Sequence, residues 1–259
     1  MAPAVDPSDL DRSEYPNRSL LLGVYKEAFG PLQVVRGALA QEKWSHFRGK
    51  MTKEAKMDQP KALSLRGMRI YKGLIAAEDQ KAIVADLREV TRRAPLFSPM
   101  TPYGKPMSVR MTSAGPFGWV SDKTGYRYAD RHPSGQNWPP IPQRVLTIWG
   151  QVADTERPPE CCLINFYGEG AKMGMHQDRD EVDFGQPVVS ISLGDEALFR
   201  VGQTTRGGKT ESVWLQSGDV VVMSGEARLL YHGIDRVKTG TSTLLRGGGR
   251  LNLTLRVVT

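Results

Sequence analysis

The chain has 259 residues, 39% of them hydrophobic and 24% charged, with 27 glycines and 17 prolines. That composition excludes a helical rod, a collagen and a wholly disordered chain, and the length suits one large domain or one domain with an appendage. Thirty-five Lys and Arg against 28 Asp and Glu give a net charge of +7 and a pI near 9.4, which points to a polyanionic partner such as nucleic acid, with plain solubility as the alternative.

No uncharged apolar run is long enough to span a bilayer, and the opening MAPAVDPSDLDRSEYP lacks the basic and apolar regions of a signal peptide. A cytoplasmic protein that does not enter the membrane is expected. Cys161 and Cys162 are the only cysteines; being adjacent, they suit neither an ordinary disulfide nor a Cys-rich zinc site.

In chain order, residues 1–60 mix charges and prolines around the apolar stretch Leu20 to Tyr25 without a sustained period. They are read as a weakly structured extension, with a peripheral helix around Leu32 to Trp44. Ile83, Val84, Leu87 and Val90 then repeat at helical spacing from Glu78 onward, predicting an amphipathic helix closed by Pro95. A second stripe, Ile141, Val145, Leu146, Trp149 and Val152, follows a run of prolines. Between the two, residues 96–138 are rich in Gly, Pro and aromatics and read as hairpins and loops.

After residue 160 come short apolar or alternating runs broken by glycine-rich turns: CCLINFY, PVVSISLG, ALFRVG, ESVWLQ, DVVVMSG, LLYHGI and RLNLTLRVV. Such spacing predicts an α+β, mainly β protein whose core is a double-stranded β-helix, or jelly roll, over residues 160–259 with flanking helices.

His176 and Asp178 stand two positions apart in MHQDRDE, so on an extended segment both side chains leave one face. His232 in YHG supplies a third ligand from a later strand. Two imidazoles and a carboxylate make the facial triad of a non-haem Fe(II) site, which leaves positions open for cosubstrate and O2; simple hydrogen-bonded histidines are the alternative. In RLNLTLRVV, Arg250, Asn252, Thr254 and Arg256 share one face and the leucines the other. Arginines turned inward need anions, and a dicarboxylate is one; the alternative turns them to solvent over a leucine core. Asn165 and Tyr167, two apart on CCLINFY, could line the same cavity.

At this point the sequence resembles the AlkB-type 2-oxoglutarate and Fe(II) dependent dioxygenases. The resemblance runs from about Leu63 to Val258 through TPYGKPMSVRMTSAG, FGW with GYRY after it, CLINFY, GAKMGMHQDRDE, PVVSISLG, SGDVVVMSGEARLLYHGI and RLNLTLR. It implies a dioxygenase domain over residues 61–259, with residues 96–138 as a nucleotide-recognition lid. It makes His176, Asp178 and His232 the catalytic iron ligands. Arg250 is placed on the distal carboxylate of 2-oxoglutarate, and Asn165, Tyr167, Asn252 and Arg256 around it. Trp119 and His176 resemble two plates enclosing the target base, with Tyr126 and Tyr128 on the lid. Asp180 lies near the exocyclic amine, Arg206 faces the substrate from a loop, and Met107 and Ser108 complete the substrate contacts. The sequence departs from a relative at Met223 and Phe166, where that relative carries Trp and Arg.

The resemblance implies Fe(II), 2-oxoglutarate and O2 as cofactor and cosubstrates. The expected reaction is removal of N-methyl groups from bases of the 1-methyladenine and 3-methylcytosine type, releasing formaldehyde, succinate and CO2 in alkylation-damage repair. The partner expected is alkylated single-stranded or duplex DNA, with RNA a further candidate, and the protein is expected to be a monomer. Rival readings keep the iron chemistry but act on RNA modifications, a protein or a small molecule, or keep the fold as a silent nucleic-acid binder. A zinc hydrolase with the same ligands lacks an evident general base and leaves both arginines unexplained.

Overall fold

The computed structural model describes residues 62–101 and 103–259, all within the unit Lys56–Thr259. The expected extension over residues 1–60, with its helix at 32–44, lies outside the described residues.

The two predicted helices form. Helix α1 spans Ala77–Arg93 and buries Ile83, Val84, Leu87 and Val90, with Glu78 and Asp79 in its first turn and Arg92 and Arg93 in its last, matching the helix dipole. Helix α2 spans Gln143–Val152, beginning after Pro142; it buries Val145, Ile148, Trp149 and Val152, whereas Leu146 is only half-buried, so the stripe is displaced toward Ile148. An Arg144 to Asp86 ion pair at 2.7 Å joins the helices. Each is also tied to the strands: Arg69 of the largest sheet donates to the Val152 carbonyl at 3.3 Å, and Ser217, in the turn before Val220–Met223, donates to the Gln80 side chain at 2.6 Å.

Thirteen strands are present among the described residues: β1 (Leu63–Leu65), β2 (Met68–Tyr71), β3 (Arg110–Ala114), β4 (Gly118–Asp122), β5 (Gly125–Ala129), β6 (Cys161–Tyr167), β7 (Met173–His176), β8 (Val188–Gly194), β9 (Glu196–Val201), β10 (Glu211–Leu215), β11 (Val220–Met223), β12 (His232–Lys238) and β13 (Arg250–Arg256). They form a seven-stranded sheet in the order β1-β2-β11-β8-β13-β6-β3, a four-stranded sheet β10-β9-β12-β7, and the hairpin β4-β5. Every pairing is antiparallel. Met111, Leu163, Tyr167 and Met223 from the large sheet share a core with Ala197, Phe199, Val201 and Ile234 from the small one, which is the sandwich of a jelly roll.

All seven strand candidates after residue 160 are strands. The large sheet, however, also draws β1, β2 and β3 from outside 160–259. Strand β3 lies within the stretch 96–138, where the sequence alone predicts local hairpins and loops; it joins the large sheet instead, because its pairing with β6 is non-local and its short RMTSA sequence carries little alternation.

Strand β13 sits between β8 and β6, and all seven of its residues are buried. Both faces of a central strand are covered, so the solvent-facing alternative for Arg250 and Arg256 is excluded. Register places Asn165 opposite Asn252 and Tyr167 opposite Arg250, which collects these side chains on the inner face.

Candidate active site

The two sheets enclose a cavity of about 440 Å3. At its mouth, β7 ends on His176 and β12 begins on His232, and these two are register partners. The close approach depends on Gly233: a Cβ there would lie 2.6 Å from the Met173 carbonyl oxygen and 2.8 Å from that of Gly174. The ring centroids stand 4.6 Å apart. Asp178 follows in the loop, its Oδ1 3.8 Å from His176 Nε2 and its Oδ2 3.8 Å from His232 Nε2. The ligand atoms of this trio all lie within 4.8 Å of one another, so it can hold a metal ion.

The backbone fixes the imidazole tautomers. His176 Nδ1 lies 2.9 Å from the Gly174 carbonyl and His232 Nδ1 lies 3.0 Å from the Leu230 carbonyl. A carbonyl only accepts, so each Nδ1 carries the proton and each Nε2 keeps a lone pair for an ion. Burial, and after it His176, pushes the His232 pKa down to about 4, so this ring is a neutral ligand at physiological pH. Burial would raise the Asp178 carboxyl, but the charge of Arg256 outweighs it and holds the group ionised well below the usual range. The trio is open on one side only: side-chain exposure is 40% for His176 but 7% for His232 and 6% for Asp178.

Deeper in, Arg250 donates through Nη2 to Ser192 Oγ at 3.0 Å, with its guanidinium over the Tyr167 ring. Asn252 donates to Ser190 Oγ at 2.7 Å and accepts from Thr254 at 3.1 Å. Five buried polar atoms of cavity-lining residues have no hydrogen-bond partner in the protein: Arg250 Nε and Nη1, Arg256 Nε, Asn165 Oδ1 and Asp178 Oδ2. Buried polar groups are normally paired. Two unpaired guanidinium donors on a cavity-lining arginine suit a carboxylate, and a carboxylate with one oxygen beside each of two imidazoles suits a cation, so these residues fit Fe(II) and 2-oxoglutarate.

Over the mouth lies the β4-β5 hairpin. Trp119 stacks on Tyr126, ring centroids 5.4 Å apart and planes 19° apart, and its Nε1 donates to Asp180 at 2.9 Å. Trp119, Tyr126, Asp180, Arg206 and Met107 line the cavity together with the metal trio, Asn165, Tyr167, Arg250, Asn252 and Arg256. Two expected substrate contacts do not line it. Tyr128 turns its phenol to Glu181 at 2.5 Å, and exposed Ser108 donates to the Lys172 carbonyl at 3.2 Å. Met223 lines the cavity wall, and Phe166 carries the Arg110 guanidinium 4.9 Å from its ring centroid. Cys161 and Cys162 are free and fully buried; burial pushes the Cys161 thiol up to about 12, so it supplies no thiolate nucleophile.

Sequence reasoning missed two buried charges. Arg228 donates to the Asp178 carbonyl at 2.5 Å and to Glu181 at 2.8 Å. Both stand inside blocks that carry the family resemblance, but burial of a charge depends on partners distant in sequence.

The chain belongs to the 2OG-Fe(II) oxygenase superfamily, whose profile matches residues 67–256. The alpha-ketoglutarate-dependent dioxygenase AlkB homolog of Caulobacter vibrioides (strain NA1000 / CB15N) is 50% identical over 191 residues, 73% of this chain and 87% of that protein. The solved structure of OsALKBH1 matches with a TM-score of 0.61 at 32% identity, covering 75% of this chain and 100% of that one. A shorter match, 40% identical over 108 residues, covers 38% of this chain and 24% of the DNA N(6)-methyladenine demethylase ALKBH1D of Arabidopsis thaliana. Within the superfamily the chain is of the AlkB type, an Fe(II)- and 2-oxoglutarate-dependent dioxygenase.

Proposed function

We propose that the protein oxidatively demethylates N-alkylated bases in nucleic acid, with DNA carrying 1-methyladenine or 3-methylcytosine as substrate. One observation carries this reading: a single cavity joins the metal trio to an aromatic hairpin and an acidic side chain at its mouth and to unpaired arginine donors at its depth. The resemblance to a DNA demethylase and the basic charge support a nucleic-acid partner.

In this reading His176, Asp178 and His232 hold Fe(II). Arg250 grips the far carboxylate of 2-oxoglutarate, while Tyr167, Asn165, Asn252 and Arg256 frame it. Iron with 2-oxoglutarate and O2 supplies the oxidation of the N-methyl group, with succinate, CO2 and formaldehyde as products. The chain's own contribution is placement. A methyl on a base edge inside a duplex cannot reach the iron, so the base must be single-stranded or turned out of the stack, and residues 96–138 act as the lid that receives it. Trp119, backed by Tyr126, offers an electron-rich face to a cationic base, and the Asp180 carboxylate favours that cation over its neutral parent. Arg206, exposed at the cavity rim, is placed to meet the phosphate backbone.

We also place the protein in the cytoplasm as a monomer, consistent with two free cysteines; no described helix is long and apolar enough to cross a membrane. The test is anaerobic loading with Fe(II) and 2-oxoglutarate, admission of air, and mass spectrometry of methylated DNA and RNA oligomers. Loss of one CH2 in mass from a DNA oligomer is expected. Turnover of methylated RNA alone would move the substrate to RNA, and turnover of neither would overturn the reading.

A further inference from the structure

Two consecutive acids of the loop after the metal-binding pair each take a bond from the hairpin above it. Trp119 of β4 and Tyr128 of β5 are register partners, so their side chains leave the same face. Trp119 Nε1 donates to Asp180 Oδ2 at 2.9 Å, and the Tyr128 phenol donates to Glu181 Oε1 at 2.5 Å. The acids differ in surroundings: Asp180 is exposed, while the Glu181 side chain is 1% exposed.

A carboxylate so deeply buried is costly unless cations meet it. Two do, and both also hold Asp178. Arg228 Nη2 donates to Glu181 Oε2 at 2.8 Å while its Nη1 donates to the Asp178 main-chain carbonyl at 2.5 Å. Arg256 Nε lies 3.3 Å from Glu181 Oε1 while its Nη2 donates to Asp178 Oδ1 at 2.8 Å. The result is a box of two anions and two cations inside the barrel. Its link to the hairpin is Tyr128, whose oxygen also accepts from Arg256 Nη1 at 3.3 Å.

From this geometry we infer that Glu181 is a positioning residue, which through Arg228 and Arg256 sets the metal ligand Asp178 and through Tyr128 couples that setting to docking of the β4-β5 hairpin. The inference rests on the proposed function, in which the trio holds iron and the hairpin covers the base. Lifting the hairpin takes the phenol from a buried carboxylate and leaves Arg256 short of an acceptor, so the lid and the metal ligand stabilise each other. Such coupling is reciprocal: an ion bound at the trio must hold the hairpin down as strongly as the docked hairpin favours the ion.

The test uses the full chain with Co(II) as probe, since its visible spectrum reports binding without turnover. Amide hydrogen exchange of residues 118–129 is followed with and without the ion. In the wild type, Co(II) should slow exchange in the hairpin. Glu181→Gln keeps an acceptor for Tyr128 but removes the charge that orients both arginines; Co(II) affinity should fall about tenfold, and the metal-dependent protection of the hairpin should vanish. Tyr128→Phe should lose most of that protection, with Co(II) affinity falling only by the matching factor and less than in Glu181→Gln. A purely structural role for Glu181 would loosen β13 and the hairpin alike and leave the metal dependence in place, which would overturn the inference. Wild-type affinity and protection in Glu181→Gln would overturn it as well. Should that variant fail to fold, Tyr128→Phe decides, and undiminished protection there is the overturning result. Absence of Co(II) binding in the wild type would instead overturn the metal-site reading and this inference with it.

Discussion

Arg256 Nη2 lies 2.8 Å from Asp178 Oδ1, with 7% and 6% of the two side chains exposed, so the carboxylate of the His-Asp-His trio is also half of a buried ion pair. Removing the cation leaves the buried Asp178 carboxylate without its ion-pair partner and leaves Glu181 to Arg228 alone. Arg256→Ala should cost about 3–5 kcal/mol of stability, read as a lower urea midpoint in metal-free protein. An unchanged midpoint would mean the pair contributes nothing net to the fold.

Arg250 is the residue on which the proposed cosubstrate site can be tested. Its Nε and Nη1 are buried without partners, and burial lowers its pKa. Arg250→Ala should weaken 2-oxoglutarate binding by about 2–5 kcal/mol, at least about 30-fold in affinity, while Fe(II) or Co(II) binding stays near normal. Calorimetric titration with 2-oxoglutarate checks it; unaltered affinity would move the carboxylate elsewhere.

The hairpin should separate base capture from oxidation. Trp119→Ala removes stacking worth about 1–3 kcal/mol per base and frees Asp180. Demethylation should therefore fall far more than substrate-free succinate release. Asp180→Asn should hurt 1-methyladenine and 3-methylcytosine more than neutral methylated bases, since only a cation gains from the carboxylate. Equal losses across a panel of bases would reduce Asp180 to a partner of Trp119.

Acid should weaken the metal-free fold through His232. Its folded pKa, about 4, lies below the ordinary 6.5, so between these values the unfolded chain binds a proton that the folded chain does not. The stability it permits is complete above pH 6.5 and lost as pH falls toward 4, by an amount on the order of 3 kcal/mol. His232→Gln should flatten that part of the urea midpoint profile; an identical slope in the variant would exclude His232 as its cause.

Among the described residues, the three sheets and the cavity lining fall within Lys56–Thr259. A chain beginning at residue 56 should keep Fe(II)-dependent turnover and its thermal midpoint. A large drop in the midpoint would assign residues 1–55 a structural part in the domain.

Local pattern carried the helices and the seven later strands, because their apolar repeats are set by which face each element buries. It could not orient β13: with both faces covered, alternation separates Arg250 and Arg256 from the leucines but does not say which set meets the cavity. The motif spacing and the family resemblance together located the metal trio. Strand β3 escaped because its order comes from β6, far along the chain, and Glu181 and Arg228 escaped because burial of a charge is decided by partners from several elements. Tyr128 stands on the β4-β5 hairpin, but its hydroxyl serves the interior.

The uneven exposure of the trio has a kinetic consequence. With His232 and Asp178 enclosed and His176 open, an incoming ion is met first by the outer imidazole, and a departing one leaves past it. Exchange with the surrounding metal pool should be governed by that doorway, so anything seated against His176, a nucleobase included, should slow removal of the ion by a chelator without altering how tightly the three ligands themselves bind it.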